Sequence, residues 1–459
     1  MPFSTEQQHD ESSSDKIEQQ DDTIRENPRR HVPPDGGYGW VCMVAVCLIN
    51  AHSWGIISVI FLSYYLAHDV YPNTGPLVYA FTGGLSIACG LLVAPLVTFL
   101  IQVAGTRFVL NVGIFFETIS LIGASFAVEQ WHMILSQGVC FGIGMGFLFV
   151  GSVGIVPQWF HKYRGIAMGV SSVGTGLGGL IYSLAVGVMI PRLGLAWSFR
   201  ILAIITFVVN GIAGNLLKDH NQAIGGHTAA FHLPFFRRPQ FILFLGWAIC
   251  SVITFVALLF TVSDYALSIG LSSHQASIVS AVLNLGQTVG RPCVGLCSDR
   301  YGRLNIAALS TFLCGLFCLV IWVFVNNMGV LCLFVLLAGA NSCTYFATVS
   351  PVLAEIVGLK GLLSALSINW LFLVGPTLCA EPIALVLRNQ GFGNGYLRVQ
   401  LLTGFLYIGA AACLWIARAW KVCQVRHFGR NSEIGTVTEQ KGLWDLAGIT
   451  RGTVCVKRV

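Results

Sequence analysis

Between residues 40 and 419 the chain is a succession of apolar runs, each about as long as one crossing of a bilayer. A hydrocarbon core about 30 Å thick needs about 20 helical residues at about 1.5 Å per residue. The runs fall at 40–66, 77–101, 107–127, 133–156, 165–190, 197–217, 241–265, 275–297, 304–325, 329–353, 362–387 and 397–419. Outer-membrane strands would alternate apolar and polar residues over about ten positions, whereas these runs are continuous. Charged residues make up 10% of the chain. A water-facing surface needs about 25%, so lipid is the solvent for much of this one. The expected fold is an all-α membrane protein with twelve transmembrane helices.

Loop charge sets the orientation. With the N-terminus inside, inner loops and tails carry Arg107, Lys162, Arg164, Lys218, Arg237, Arg238, Arg300, Arg303, Lys360, Lys421 and Arg426. The outer loops carry Arg192, Arg200, Arg388 and Arg398. This positive-inside bias places both termini in the cytosol. Residues 1–38 are expected to form a disordered cytosolic tail, because their polar first part buries too little apolar surface to fold. A long charged tail ahead of the first run also argues against a cleaved signal peptide. The longest inner connection, 218–240, then divides the chain into halves of six helices, 39–217 and 241–420, followed by a cytosolic tail, 421–459. Gly105-Thr106-Arg107 lies between the second and third runs of the first half, and Gly302-Arg303 holds the same place in the second. Two related halves with a site between them are the plan of a secondary transporter.

Several functions are disfavoured. The net charge of +6 resides in loops and tails, which argues against nucleic-acid binding. The fifteen cysteines lie mostly inside apolar runs and the eleven histidines are scattered, so no metal ligand set and no cofactor are expected. Neither a phosphate-binding loop nor a nucleophile-and-base constellation is present, which disfavours an ATP-driven pump and an enzyme.

Charged groups at bilayer depth cost a few kcal/mol each, so those present need a role. Arg291, in the eighth run, is the strongest candidate, and Gln287 and Asn284 share its helical face one and two turns earlier. A guanidinium holds a carboxylate through two parallel hydrogen bonds, so the expected substrate is a small organic anion. A structural ion pair is the alternative role. Glu117 in the third run and Glu381 in the eleventh, between Pro376 and Pro382, are candidate proton carriers; Glu381 fits equally a pairing with Arg291 or a structural role. Asn50 and His52 in the first run are candidate path-lining residues, with Trp54 on an adjoining face.

Three motifs carry resemblances. The segment from Gly295 to Arg303 reads G-L-C-S-D-R-Y-G-R and resembles the loop signature G-x-x-x-D-R-x-G-R of the major facilitator superfamily. That resemblance implies a facilitator fold and a gating role for Asp299, Arg300 and Arg303. D-G-G-Y-G-W at Asp35 to Trp40 resembles the motif ahead of the first span in the monocarboxylate transporter family. W-F-H-K-Y-R-G-I-A-M-G at Trp159 to Gly169 resembles that family's second motif, which adds Lys162 and Arg164 as candidate gating residues. The sequence around Asn50 is similar to the fungal branch. Arg291 resembles the family's carboxylate-binding arginine, which also precedes a proline.

Two positions depart from the proton-coupled members. Ser58 stands where they carry a lysine, and Gln287 stands where they carry an aspartate. Losing both charges together is electrostatically coherent, because neither is left unpaired. Proton-linked lactate or pyruvate symport is therefore not carried over. The expectation is a secondary active or facilitative transporter of a small organic acid or related metabolite, working by alternating access. Its partners would be a small-molecule substrate and membrane lipid. Riboflavin-like vitamin uptake, secondary-metabolite export and a transporter-derived nutrient sensor are the alternatives. The plasma membrane is the expected location, with the vacuolar membrane as alternative.

Overall fold

The computed structural model describes residues 35–57, 76–220, 233–387 and 395–434. Among these, eleven helices are long and apolar enough to cross a membrane. They are span 1 (Gly39–Ile56), span 2 (Phe81–Ala104), span 3 (Thr106–Ala124), span 4 (Gln130–Trp159), span 5 (beginning Arg164–Tyr182) and span 6 (Leu195–Leu216). The second set is span 7 (beginning Pro239–Leu259), span 9 (Arg303–Phe324), span 10 (Met328–Val357), span 11 (beginning Leu362–Ala380) and span 12 (beginning Leu397–Val422). Span 8, Ser273–Tyr301, completes the twelve as a continuous helix of 29 residues. Asn284, Gln287, Thr288 and Arg291 make it the least lipid-like of the set. It begins at a capping box, in which Ser272 Oγ accepts from the Gln275 amide and Gln275 Oε1 accepts from the Ser272 amide.

Spans 1 to 6 pack on one another through the pairs 1–5, 1–6, 2–4, 3–4 and 3–6. Spans 7 to 12 pack through 7–11, 7–12, 8–10 and 9–12. Contact between the two six-helix halves runs chiefly through span 5 against span 8 and span 2 against span 11. The outer surface bears large apolar side chains such as Phe99, Phe115, Phe207, Leu296 and Phe405, all more than half exposed to the surroundings. Lipid tails solvate such a belt, and the helices satisfy their backbone polar groups internally.

Gly105 (φ 83°) ends span 2 and Gly302 (φ 98°) ends span 8. Both turns use left-handed backbone that a side chain resists, so the weak sequence repeat corresponds to a repeated turn. Three boundaries differ from expectation. The fifth and seventh helices extend to Leu193 and Ser268, and the twelfth continues to Ile434 rather than ending near residue 419. Helices continue past the apolar limit because backbone hydrogen bonding does not depend on side-chain polarity.

Span 5 meets span 8 through small residues. A Cβ placed on Gly165 would lie 2.6 Å from the Gly295 carbonyl oxygen, and one on Gly169 would lie 2.5 Å from that of Arg291. No such side chain fits, so the glycines let two backbones from different halves touch.

Candidate functional site

A cavity of about 40 Å³ lies between the halves. Span 1 contributes Val46, Asn50 and Trp54, and span 5 contributes Ser171, Ser172 and Thr175. The second half contributes Phe255 from span 7, Arg291 from span 8 and Phe346 from span 10. Such a volume holds a few water molecules, whereas small-molecule sites usually enclose about 300 Å³ or more. The described part of this centre is too small to enclose a small-molecule substrate as it stands.

Arg291 is 2% exposed. Its Nη2 donates to Gln287 Oε1 at 3.2 Å, and its Nη1 donates across the interface to the Ser172 carbonyl. Its Nε has no hydrogen-bond partner among the described residues. Among the described residues no carboxylate forms an ion pair with it. A buried guanidinium whose charge is met by neutral dipoles alone is unfavourable by several kcal/mol, and an incoming carboxylate would relieve that cost. Asn50, also buried, donates from Nδ2 to the Ser171 carbonyl at 3.0 Å, while its Oδ1 has no partner. The adjacent serines of span 5 thus hold both polar anchors through their backbone oxygens.

The remaining candidates are dispersed. Asn284 is half-buried on span 8, one turn beyond Gln287, and does not line the cavity. His52 hydrogen-bonds the carbonyl of Leu48 on its own helix at 2.8 Å and stands edge-on to Tyr182. Glu117 is 1% exposed and accepts from Asn210 Nδ2 at 2.7 Å, tying span 3 to span 6 within the first half. Replacing Glu117 with Gln preserves an oxygen for Asn210 and removes a buried acid. Transport by Glu117→Gln is expected to stay within about threefold of the unmodified chain, with thermal stability kept or raised, as measured by uptake and by melting in detergent. Glu381 is in the helix of span 11, and its side chain lies outside the described residues, as does Ser58.

A second cluster joins the halves at the face where span 1 begins, called here the tail face. Asp299, at the end of span 8, accepts from the backbone amides of Gly165 and Ile166 at 2.8 and 2.9 Å. Its carboxylate thus caps span 5 of the other half, where the helix dipole favours negative charge. Arg303 lies 3.6 Å from Asp299, donates to the His161 carbonyl at 2.7 Å, and donates to Glu355 at 3.0 Å. Lys421 closes the network on Glu355 at 2.9 Å. Of the other gating candidates, Arg300 is exposed and lies over the Tyr301 ring, and Lys162 lies over the Tyr163 ring. Arg164 is buried and donates from Nε to the Phe160 carbonyl at 2.9 Å.

The two family-like motifs are interlocked. Asp35 Oδ1 accepts from the amides of His161 and Lys162 at 2.6 and 2.8 Å, and its own amide donates to the Trp159 carbonyl at 3.0 Å. Tyr38 donates to the Leu216 carbonyl at 2.7 Å, and Trp159 Nε1 donates to that of Lys218 at 2.9 Å. The first motif therefore holds the turn whose carbonyl Arg303 reads. Asp35→Ala is expected to lower stability by about 1–3 kcal/mol, seen as a lower melting temperature of the purified protein, because two amides lose a charged acceptor.

Sequence reasoning did not anticipate Phe149, Phe255 and Phe346 in the cavity wall, because aromatic residues abound in every span and carry no local signal. Glu355, at the end of span 10, pairs with Arg303 and Lys421 from distant segments, which no local pattern announces.

Twelve crossing helices pack as two sets of six, with a buried cation where the sets meet and an ionic network at one face. Residues 43–268 match the Major Facilitator Superfamily. The chain is 32% identical over 399 residues to "Probable transporter MCH2" of Saccharomyces cerevisiae, covering 85% of this chain and 84% of that one. It is 24% identical over 391 residues to "Fujikurins efflux protein" of Gibberella fujikuroi, with 83% of each chain covered. The crystal structure of the Major Facilitator Superfamily transporter FucP has the same fold, with a TM-score of 0.64 at 12% identity, over 85% of this chain and 99% of that one. The chain belongs to the Major Facilitator Superfamily and is a multi-pass membrane transporter of a small molecule, not an enzyme.

Proposed function

We infer that this transporter carries a small organic anion by alternating access, with Arg291 holding the substrate carboxylate. The observation that carries this reading is Arg291 itself: buried between the halves, hydrogen-bonded across them, and without a carboxylate partner among the described residues. Substrate binding would replace the Ser172 carbonyl on Nη1 and so loosen one tie between the halves. The loop charges support a cytosolic tail face, and on that reading the Asp299 and Arg303 network is a cytosolic gate. The division into halves 39–217 and 241–420 about a central cytosolic loop belongs to the same reading, as does residence in the plasma membrane. The likeness of the Asp35 and Trp159 motifs to monocarboxylate transporters supports an acid as cargo. With Gln287 beside Arg291, a proton need not accompany it.

Counterflow of radiolabelled organic acids in proteoliposomes at two pH values tests the reading. Saturable exchange of an acid, lost in Arg291→Met, is the expected result. Exchange of neutral solutes with acids excluded would sink it. Similarity to a fungal efflux protein favours a second direction of flow, outward export of a metabolite, which comparison of metabolites inside and outside cells with and without the protein would reveal.

A further inference from the structure

The wall of the central cavity is built from aromatic rings that touch across the interface. Trp54 of span 1 stands 5.3 Å from Phe149 of span 4 and 5.9 Å from Phe346 of span 10. Phe149 also meets Trp370 of span 11 at 5.1 Å, and Phe346 meets Phe255 of span 7 at 5.2 Å. Each ring pair adds about 0.5–1.5 kcal/mol beyond its buried area. The pairs Trp54–Phe346 and Phe149–Trp370 link opposite halves, so both are disrupted when the halves part to admit a substrate. A small aliphatic acid would leave those faces bare. A flat apolar body would replace the lost ring contacts. Beside this cluster lie two buried polar atoms without a hydrogen-bond partner among the described residues, the donor Arg291 Nε and the acceptor Asn50 Oδ1. A ligand that satisfies both must present an acceptor and a hydrogen-bond donor.

We propose that the substrate is an aromatic, or similarly flat and bulky, monocarboxylate that also bears a hydroxyl. Its carboxylate meets Arg291, its hydroxyl donates to Asn50 Oδ1, and its ring lies among Trp54, Phe149, Phe255 and Phe346. This rests on the reading of Arg291 given above and adds the ring and the hydroxyl. Recognition of the hydroxyl is selective because an analogue lacking it leaves a buried acceptor unpaired.

Ligand-induced thermal stabilisation of the full-length protein in detergent tests the proposal, with four probes: 3-phenyllactate, 3-phenylpropanoate, lactate and 3-phenyl-1,2-propanediol. The expected order has phenyllactate tightest, with phenylpropanoate and lactate each weaker by about tenfold or more. Asn50→Ala is expected to erase the difference between phenyllactate and phenylpropanoate; if that variant fails to fold, the wild-type difference between those two acids carries the same test. Equal affinity for lactate and phenyllactate, both abolished by Arg291→Met, overturns the aromatic assignment and leaves the carboxylate site standing. Equal affinity for phenyllactate and phenylpropanoate overturns the hydroxyl contact. Binding of the diol as tight as that of phenyllactate overturns both this proposal and the organic-anion reading beneath it.

Discussion

Replacing Arg291 with Met is expected to abolish carboxylate transport, with a loss of at least about a hundredfold, while the folded protein becomes no less stable. Two effects with opposite signs act at this position. A bidentate guanidinium–carboxylate contact in a closed, water-poor site is among the stronger recognition elements available, and its removal costs about 3 kcal/mol or more of binding. In the absence of substrate the same cation is a burden. It is 2% exposed, and among the described residues it meets one amide oxygen, one backbone carbonyl and the Cys343 thiol, with no carboxylate. Methionine fills much of the same volume without charge, so the closed state is expected to gain about 1–3 kcal/mol. Melting of the purified variant and counterflow in proteoliposomes measure the two effects separately. A variant that melts at least as high as the parent yet transports nothing supports the assignment. One that transports normally removes Arg291 from the substrate site.

Asp299→Ala is expected to release the tail-face latch and shift the resting population toward the state open at that face. The carboxylate takes two amide hydrogens at the start of span 5, those of Gly165 and Ile166. Hydrogen bonds to a charged group are worth about 1.5–3 kcal/mol each, and the helix terminus adds a few tenths more. Loss of about 3 kcal/mol changes a two-state population by about a hundredfold. Hydrogen exchange measured by mass spectrometry on the peptide spanning residues 161–172 is expected to accelerate, and transport to fall at least about tenfold. Asp299→Asn keeps the shape and one acceptor oxygen, so its effect should be intermediate. Unchanged exchange at Gly165 and Ile166 in Asp299→Ala would show that the latch does not hold the halves together.

The Asp299 network and the cavity both bear on span 5. Span 5 is capped by Asp299 at its first residues, touches the Arg291 backbone at Gly169, and offers Arg291 its Ser172 carbonyl two to three residues further on. On the proposed reading, substrate binding at Arg291 and release of Asp299 would both alter the packing of span 5 on span 8. The energetic link is contact between two rigid helices, and it needs no moving loop.

The local chemistry of the chain was legible in advance wherever it depended on neighbours along the sequence. The number of crossings follows from the length of the apolar runs, because each run must satisfy a fixed bilayer thickness. The turns at Gly105 and Gly302 follow from the need for left-handed backbone. Arg291 declares itself because an ion inside an apolar run demands a reason. Its neighbour Gln287 was legible for the same cause, being one helical turn away.

Partners contributed by distant segments were not legible. Asp299 had several local arginines within reach by sequence, yet its strongest contacts are backbone amides of Gly165 and Ile166, more than 130 positions earlier. Backbone groups carry no side-chain signature, so no pattern announces them. The aromatic wall is similar: Phe149, Phe255 and Phe346 look like any lipid-facing phenylalanine until the halves come together. By itself, then, the sequence determined a helical bundle of twelve crossings with one conspicuous buried cation, because solvation by lipid acts on each run separately. The tertiary structure alone decided what that cation faces and which carboxylate accepts from the start of span 5, because those energies arise between helices that the chain brings together only on folding.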